Sequence, residues 1–355
     1  MTHLFTPLTM RGVSLPNRIG VSPMCQYSAS DGLATDWHLV HLGSRAVGGA
    51  GMVMVEAASV DPAGRISAQD LGIWRDDHIE PLTRIARFVR EHGSVPAIQI
   101  AHAGRKASTA RPWEGGKPLS VDMGAWPIVG ASPLPYDDGY QMPDELTITG
   151  IRDVQAAFKD ATLRSLEAGF DILEVHGVHG YLISSFLSPT SNVRTDAYGG
   201  SFSNRIRFLT ETIEGIRSIW PVDKPLFVRL SCHEWVESGW TLEDTVELVR
   251  ILAPLGVDLV DCSSGGNHPN QQIPLGPGYQ VPFADAVRAI TGIPTAAVGL
   301  ITEPTHADEI IRNGRADMVL LGRESLRDPY WPARAARELR QPEGVVPPVQ
   351  YRRAW

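Results

Sequence analysis

Residues 151–181 read IRDVQAAFKDATLRSLEAGFDILEVHGVHGY, and a change of period inside this stretch decides the fold. From Ile151 to Ala168 the apolar residues recur at helical spacing. From Asp171 to His176 they close into a short apolar run of strand length, which then opens into a polar, glycine-containing loop. The same unit repeats in both directions. Strands are expected at Ile19–Met24, Met52–Ala57, Val95–Ala101, Asp171–His176, Pro225–Ser231, Val257–Cys262, Pro294–Gly299 and Asp317–Gly322. Helices are expected at Asp36–Val47, His78–His92, Ile151–Ala168, Ser203–Trp220, Leu242–Leu255, Tyr279–Thr291, Pro304–Asn313 and Tyr330–Leu339. The strands are nearly continuously apolar and rich in Val, Ile and Leu, as parallel strands covered on both faces must be. Several helices open on cap-like residues such as Ser203 or Thr241.

Eight such units in βα alternation predict one α/β domain spanning 1–355, a (β/α)8 TIM barrel. One connection is too long for a simple loop. Residues 102–149, after the third strand, carry Pro112, Pro118, Pro127, Pro133, Pro135 and Pro143, and are expected to form a capping insertion over the barrel mouth.

The bulk properties narrow the partners. The 355-residue chain carries a net charge of −8 and has no long basic run, so nucleic acid is not expected. No apolar stretch approaches the ~20 residues of a membrane helix, and MTHLFTPLTMRG lacks the pattern of a secretory signal. Cys25, Cys232 and Cys262 are odd in number and scattered. That favours a reducing compartment, hence the cytoplasm, over a disulfide framework or a CxxC metal site, and no metal is expected.

In a barrel of this kind chemistry sits at the carboxyl ends of the strands. The first strand ends in Ser22-Pro23-Met24-Cys25-Gln26-Tyr27 and the second at Glu56-Ala57. In the third, Gln99 shares the inward face with Ala97 and Ala101. The fourth runs into Glu174-Val175-His176-Gly177-Val178-His179-Gly180-Tyr181, and the eighth ends in Gly322-Arg323. The fifth places Arg229 between Val228 and Leu230, where a charge is costly unless something polar or anionic meets it. Taken singly, Arg229 could pair with a barrel carboxylate such as Glu174, Gln99 could be a satisfied core amide, and Cys25 could be a small buried hydrophobe.

The fragments HGVHGYL (176–182), SNVRTDAYGGSFSNRIRF (191–208), PMCQY (23–27), QIAHAGRKA (99–107) and LLGRESLRDP (320–329) resemble the old yellow enzyme family of FMN-dependent ene-reductases, in its thermophilic-like bacterial branch. The resemblance runs from Leu4 to Trp355. It implies FMN held without a covalent bond, with Ser22, Pro23, Met24, Cys25 and Ala57 along the ring system. Gln99 and Arg229 would lie at its pyrimidine edge, and Gly299, Gly322 and Arg323 at its phosphate. It implies NADPH, or NADH, as transient reductant in a ping-pong cycle, and an enone or enal as substrate. His176 and His179 would hold the substrate carbonyl, Tyr181 would protonate the α-carbon, and Tyr27 would line the pocket. The tail Gln350–Trp355 resembles one that reaches a neighbouring subunit's site, with Arg353 inserted, so a homodimer or dimer-based homotetramer is implied.

Two rivals stand beside this reading. A TIM-barrel hydrolase needs a carboxylate pair, usually after strands four and seven, and the seventh strand PTAAVGL offers none. A catalytically silent FMN-binding barrel would have no need of the His176, His179 and Tyr181 set.

Overall fold

The structure, a computed structural model, describes residues 2–354. Eight parallel strands close into a barrel: Ile19–Val21, Met52–Ser59, Val95–Ala101, Ile172–Gly177, Leu226–Ser231, Leu259–Ser263, Thr295–Ala297 and Met318–Leu321. The last pairs with the first, Val319 opposite Ile19, so no edge is left open. Each expected strand is present; the third keeps its expected ends, the second runs on to Ser59, and the first, seventh and eighth are shorter. The first stops at Val21 rather than Met24 because Pro23 has no N–H to give the ladder. The helix expected over 203–220 is two, Phe202–Arg205 and Arg207–Arg217. A hairpin of Leu8–Met10 and Val13–Leu15, not expected from the sequence, brings Met10 and Leu15 to the interior residues at the amino ends of the strands.

The period of two sorts each strand into an outer and an inner face. Outward residues such as Val53, Ile98, Val175, Val228 and Val260 join the layer shared with the helices. Inward residues change character as each strand climbs. Ile172, Phe227 and Leu259 pack together near the bottom. Two residues further stand Glu174, Arg229 and Asp261, and two further again His176, Ser231 and Ser263, all buried. One strand breaks the parity. The second carries a bulge between Val55 and Ala58, which adds one residue and turns Ala57, in place of Glu56, toward the cavity beneath the mouth.

The 102–149 connection holds short helical turns at Gly104–Lys106, Pro112–Glu114 and Val121–Met123, and a two-residue pairing of Val129–Gly130 with Asp144–Glu145. Its contacts run inward: Arg105 donates to the Asn267 carbonyl at 2.6 Å, and Trp126 Nε1 donates to the Ala63 carbonyl at 3.0 Å.

Candidate active site at the barrel mouth

A cleft of about 270 Å³ opens at the carboxyl ends of the strands. It gathers Ser22, Pro23, Met24, His179, Arg229, Gly299, Gly322 and Arg323, eight of the residues singled out in the sequence. Among the described residues the Arg323 side chain makes no ion pair or hydrogen bond, so a guanidinium faces the cleft uncompensated. Beside it a Cβ on Gly322 would meet nothing nearer than Met24 Sδ at 3.8 Å, and Gly299 takes φ +126°. An unpaired cation beside open glycine backbone fits a phosphate.

A second, smaller cavity adjoins His176 and Tyr181 and is also lined by Ala57, Ala101 and Asp70. The His176 ring centroid lies 5.7 Å from that of His179 and 5.1 Å from that of Tyr181. Neither nitrogen of His176 has a hydrogen-bond partner among the described residues, although both are buried. A buried imidazole without a protein partner leaves both ring nitrogens free to meet a ligand. Burial, with the charges of Arg229 and Lys106, holds both histidines well below the usual imidazole range, so both are neutral.

His179 is fixed more tightly. It takes φ +63°, in the left-handed region. Its backbone N–H donates to Ser231 Oγ at 3.0 Å, and its Nε2 lies 2.9 Å from Ser263 Oγ. The loop after strand four is pressed against the loop after strand six: a Cβ on Gly180 would come within 2.5 Å of the Gly266 carbonyl, and one on Gly266 within 2.4 Å of His179 Cα. Lys106, from the 102–149 connection, ties the two loops together. Its Nζ donates to the carbonyls of His179 at 3.0 Å and Gly266 at 2.9 Å, and sits over the Tyr136 and Tyr181 rings. Burial and the neighbouring Arg105 lower its pKa to about 7. QIAHAGRKA contains Lys106, but neither periodicity nor charge marks it out; its role appears only when three loops meet.

Gln99 and Arg229 lie beneath the mouth and both have protein partners. Gln99 Nε2 donates to Glu174 Oε1 at 2.7 Å. Arg229 Nε stands 2.8 Å from Asp261 Oδ2. Asp261, not Glu174, is the carboxylate partner of Arg229, since it sits directly opposite Arg229 in the ladder. Asp261 was legible by the argument applied to Arg229, a charge inside an apolar strand. Burial raises the carboxyl pKa of both Glu174 and Asp261, and the Asp261 charge raises that of Glu174 further.

Cys25 and Tyr27 come from the loop after strand one. Burial, with the charges of Asp70 and Glu56, raises the Cys25 thiol, so it stays protonated. Tyr27 takes φ +49° and meets Trp113 edge-on, with centroids 5.9 Å apart. The loop is anchored by Glu56, whose Oε1 accepts the Gln26 N–H at 3.0 Å. Arg353 is not brought to this site: it is exposed on the terminal turn Val349–Ala354, and Trp355 lies outside the described residues.

Glu56 gives a pH prediction. Burial pushes its carboxyl from 4.5 up to about 8. The folded state therefore favours the protonated form, and the stability it contributes is fully present below about pH 4.5 and lost as pH rises through about 8. Glu56→Gln keeps the acceptor for Gln26 and removes the ionisation. Denaturant titrations should find the variant gaining about 2–4 kcal/mol on the unaltered protein between pH 5 and pH 9, at ~1.4 kcal/mol per pKa unit. Parallel pH profiles for the two proteins would reject it.

Barrel, an unpaired Arg323 beside open glycine backbone and paired histidines together have the features of an enzyme site at the carboxyl ends of the strands. The chain belongs to the NADH:flavin oxidoreductase / NADH oxidase family, whose model matches residues 3–341. It is 48% identical to the NADPH dehydrogenase of Geobacillus thermodenitrificans (strain NG80-2), across 100% of this chain and 99% of that protein. It is 44% identical to the NADPH dehydrogenase of Bacillus subtilis (strain 168), across 99% of each. Among solved structures, a 2-naphthoyl-CoA reductase in complex with 2-naphthoyl-CoA matches with a TM-score of 0.85 and 26% identity. That match covers 97% of this chain and 53% of the other, so this chain spans about half the length of that protein. Morphinone reductase shares the fold at a TM-score of 0.79 and 24% identity, over 95% of this chain and 90% of that one. Membership makes the protein a flavin oxidoreductase that carries FMN and draws its electrons from a reduced nicotinamide.

Proposed function

We propose that this enzyme reduces the C=C bond of small α,β-unsaturated carbonyl compounds, enones and enals, in a ping-pong cycle with NADPH, or NADH, as reductant. The observation that carries the reading is the meeting of two neutral histidines, His176 buried and His179 half-buried, with a protonated tyrosine, 5.7 and 5.1 Å between ring centroids, beside the cleft. When bound, FMN would supply the two-electron redox chemistry between nicotinamide and alkene.

The chain supplies everything else. Arg323, Gly299 and Gly322 would hold the FMN phosphate, Ser22, Pro23, Met24, Cys25 and Ala57 would flank its ring system, and Gln99 and Arg229 would meet its pyrimidine edge. Ser263 Oγ can give its proton to His179 Nε2, which leaves the Nδ1–H of that ring as a donor. His176 supplies a second N–H, and the two converge on the substrate carbonyl oxygen, where negative charge builds as the alkene is reduced. Burial raises the Tyr181 phenol well above its ordinary value, so it holds its proton at neutral pH and can pass it to the strongly basic α-carbon. Tyr27, with Trp113 at its edge, bounds the substrate pocket. No GxGxxG follows any strand, so the reductant and the alkene use one cleft in turn.

We further read the protein as a cytoplasmic homo-oligomer, a dimer or dimer-based tetramer, in which Arg353 enters the neighbouring subunit's pocket. The exposed terminal turn Val349–Ala354 and the scattered free cysteines support that reading. A chain ending at Val349 is expected to lose enone turnover and weaken enone binding while keeping FMN; full activity in the truncated protein would remove the intersubunit role.

The central test uses one cuvette. Purified protein should show a flavin spectrum that bleaches when NADPH is added without oxygen and returns when cyclohexenone follows. Bleaching without return would reject the substrate class.

A further inference from the structure

The barrel interior beneath the cleft holds a fully buried charge pair. Asp261 is 0% exposed, on the inward face of the sixth strand, and lies directly opposite Arg229 on the fifth. Arg229 Nε stands 2.8 Å from Asp261 Oδ2, and no other cation pairs with that carboxylate among the described residues. Neither of its oxygens accepts a well-aligned hydrogen bond there. Two charges this deep attract strongly, but removing both from water costs as much or more, so such a pair is a poor source of stability. What it does reliably is shape the local field. Arg229 lines the cleft while Asp261 does not, so the cation faces the cofactor with its counter-charge held behind it.

We propose that Asp261 sets the reduction potential of the bound FMN, holding it below the value that the Arg229 cation alone would give. Reduction gathers negative charge at the pyrimidine edge, so a cation there raises the potential and an anion behind it cancels part of that effect. Glu174, the next carboxyl in the same layer, is bonded to Gln99 and makes no ion pair among the described residues, whereas Asp261 forms the close ion pair with Arg229 and opposes it most directly. The inference rests on the placement of Arg229 at the flavin edge. It does not depend on which alkene is the substrate.

The test is the midpoint potential of the FMN-loaded protein, read against a reference dye. Asp261→Asn is near-isosteric and is expected to move the potential to a more positive value, with FMN still bound. Arg229→Met is expected to move it to a more negative value. The double variant Arg229→Lys/Asp261→Asn, which keeps a cation beside the carboxylate, should lie above Arg229→Lys alone, which tests the carboxylate even if Asp261→Asn by itself does not fold. An unchanged or lower potential on losing Asp261, in either background, would overturn the proposal. If Arg229→Met lowers the potential and removal of Asp261 does not raise it, Asp261 alone has been misassigned. If Arg229→Met also leaves it unmoved, Arg229 does not face the flavin.

Discussion

Tyr181→Phe is expected to slow the return of flavin colour on adding cyclohexenone by about 10²–10⁴-fold, the usual contribution of a positioned general acid. Bleaching by NADPH should be nearly unchanged, because that half-reaction has no α-carbon to protonate. The structure supports the asymmetry. The Tyr181 ring lies beside His176 and under the Lys106 Nζ, in surroundings that keep its phenol protonated. Removing the hydroxyl leaves the ring, and so the packing, in place. Rapid-mixing measurements of the two half-reactions separate the outcomes: an equal fall in both would mean that Tyr181 shapes the pocket rather than delivering a proton.

Replacing either histidine by alanine should cost about 10²–10³-fold in enone reduction, the typical loss when one donor to a developing oxyanion is removed. The two variants should differ in kind. Both nitrogens of His176 lack partners in the protein, so its removal disturbs no existing hydrogen bond and should act on the substrate step. The His179 ring is held by Ser263, so His179→Ala also releases Ser263 Oγ and should broaden the site's preference as well as slow it. Measured kcat/KM for the enone, beside unaltered bleaching by NADPH, checks both. A loss below tenfold in each would show that the carbonyl oxygen is bound elsewhere.

The barrel was legible because its signal is local. Eight short apolar runs, each followed by a helical period, leave few alternatives once their number is counted. Gln99, Arg229, His176 and His179 were legible for the same reason: they are polar residues at inward positions or at the carboxyl ends of apolar strands. Asp261 obeyed that rule and could have been found by it. The hairpin at Leu8–Leu15 could not, since its three-residue strands carry too little pattern to stand out.

Other features depend on meetings between distant parts of the chain. Lys106 acquires its position only where the 102–149 connection, the loop after strand four and the loop after strand six converge. Ala57 faces the cavity because one extra residue between Val55 and Ala58 shifts the parity of its strand, a change set by pairing with the third strand. The sequence by itself determined the period of each element, the order of the strands and the residue types available at the mouth, because these follow from neighbours along the chain. Closure of the barrel decided the rest: which partner each buried charge takes, which nitrogens stay unpaired and which loops lock His179. Those outcomes depend on distances between residues far apart in sequence, and only the closed barrel fixes those distances.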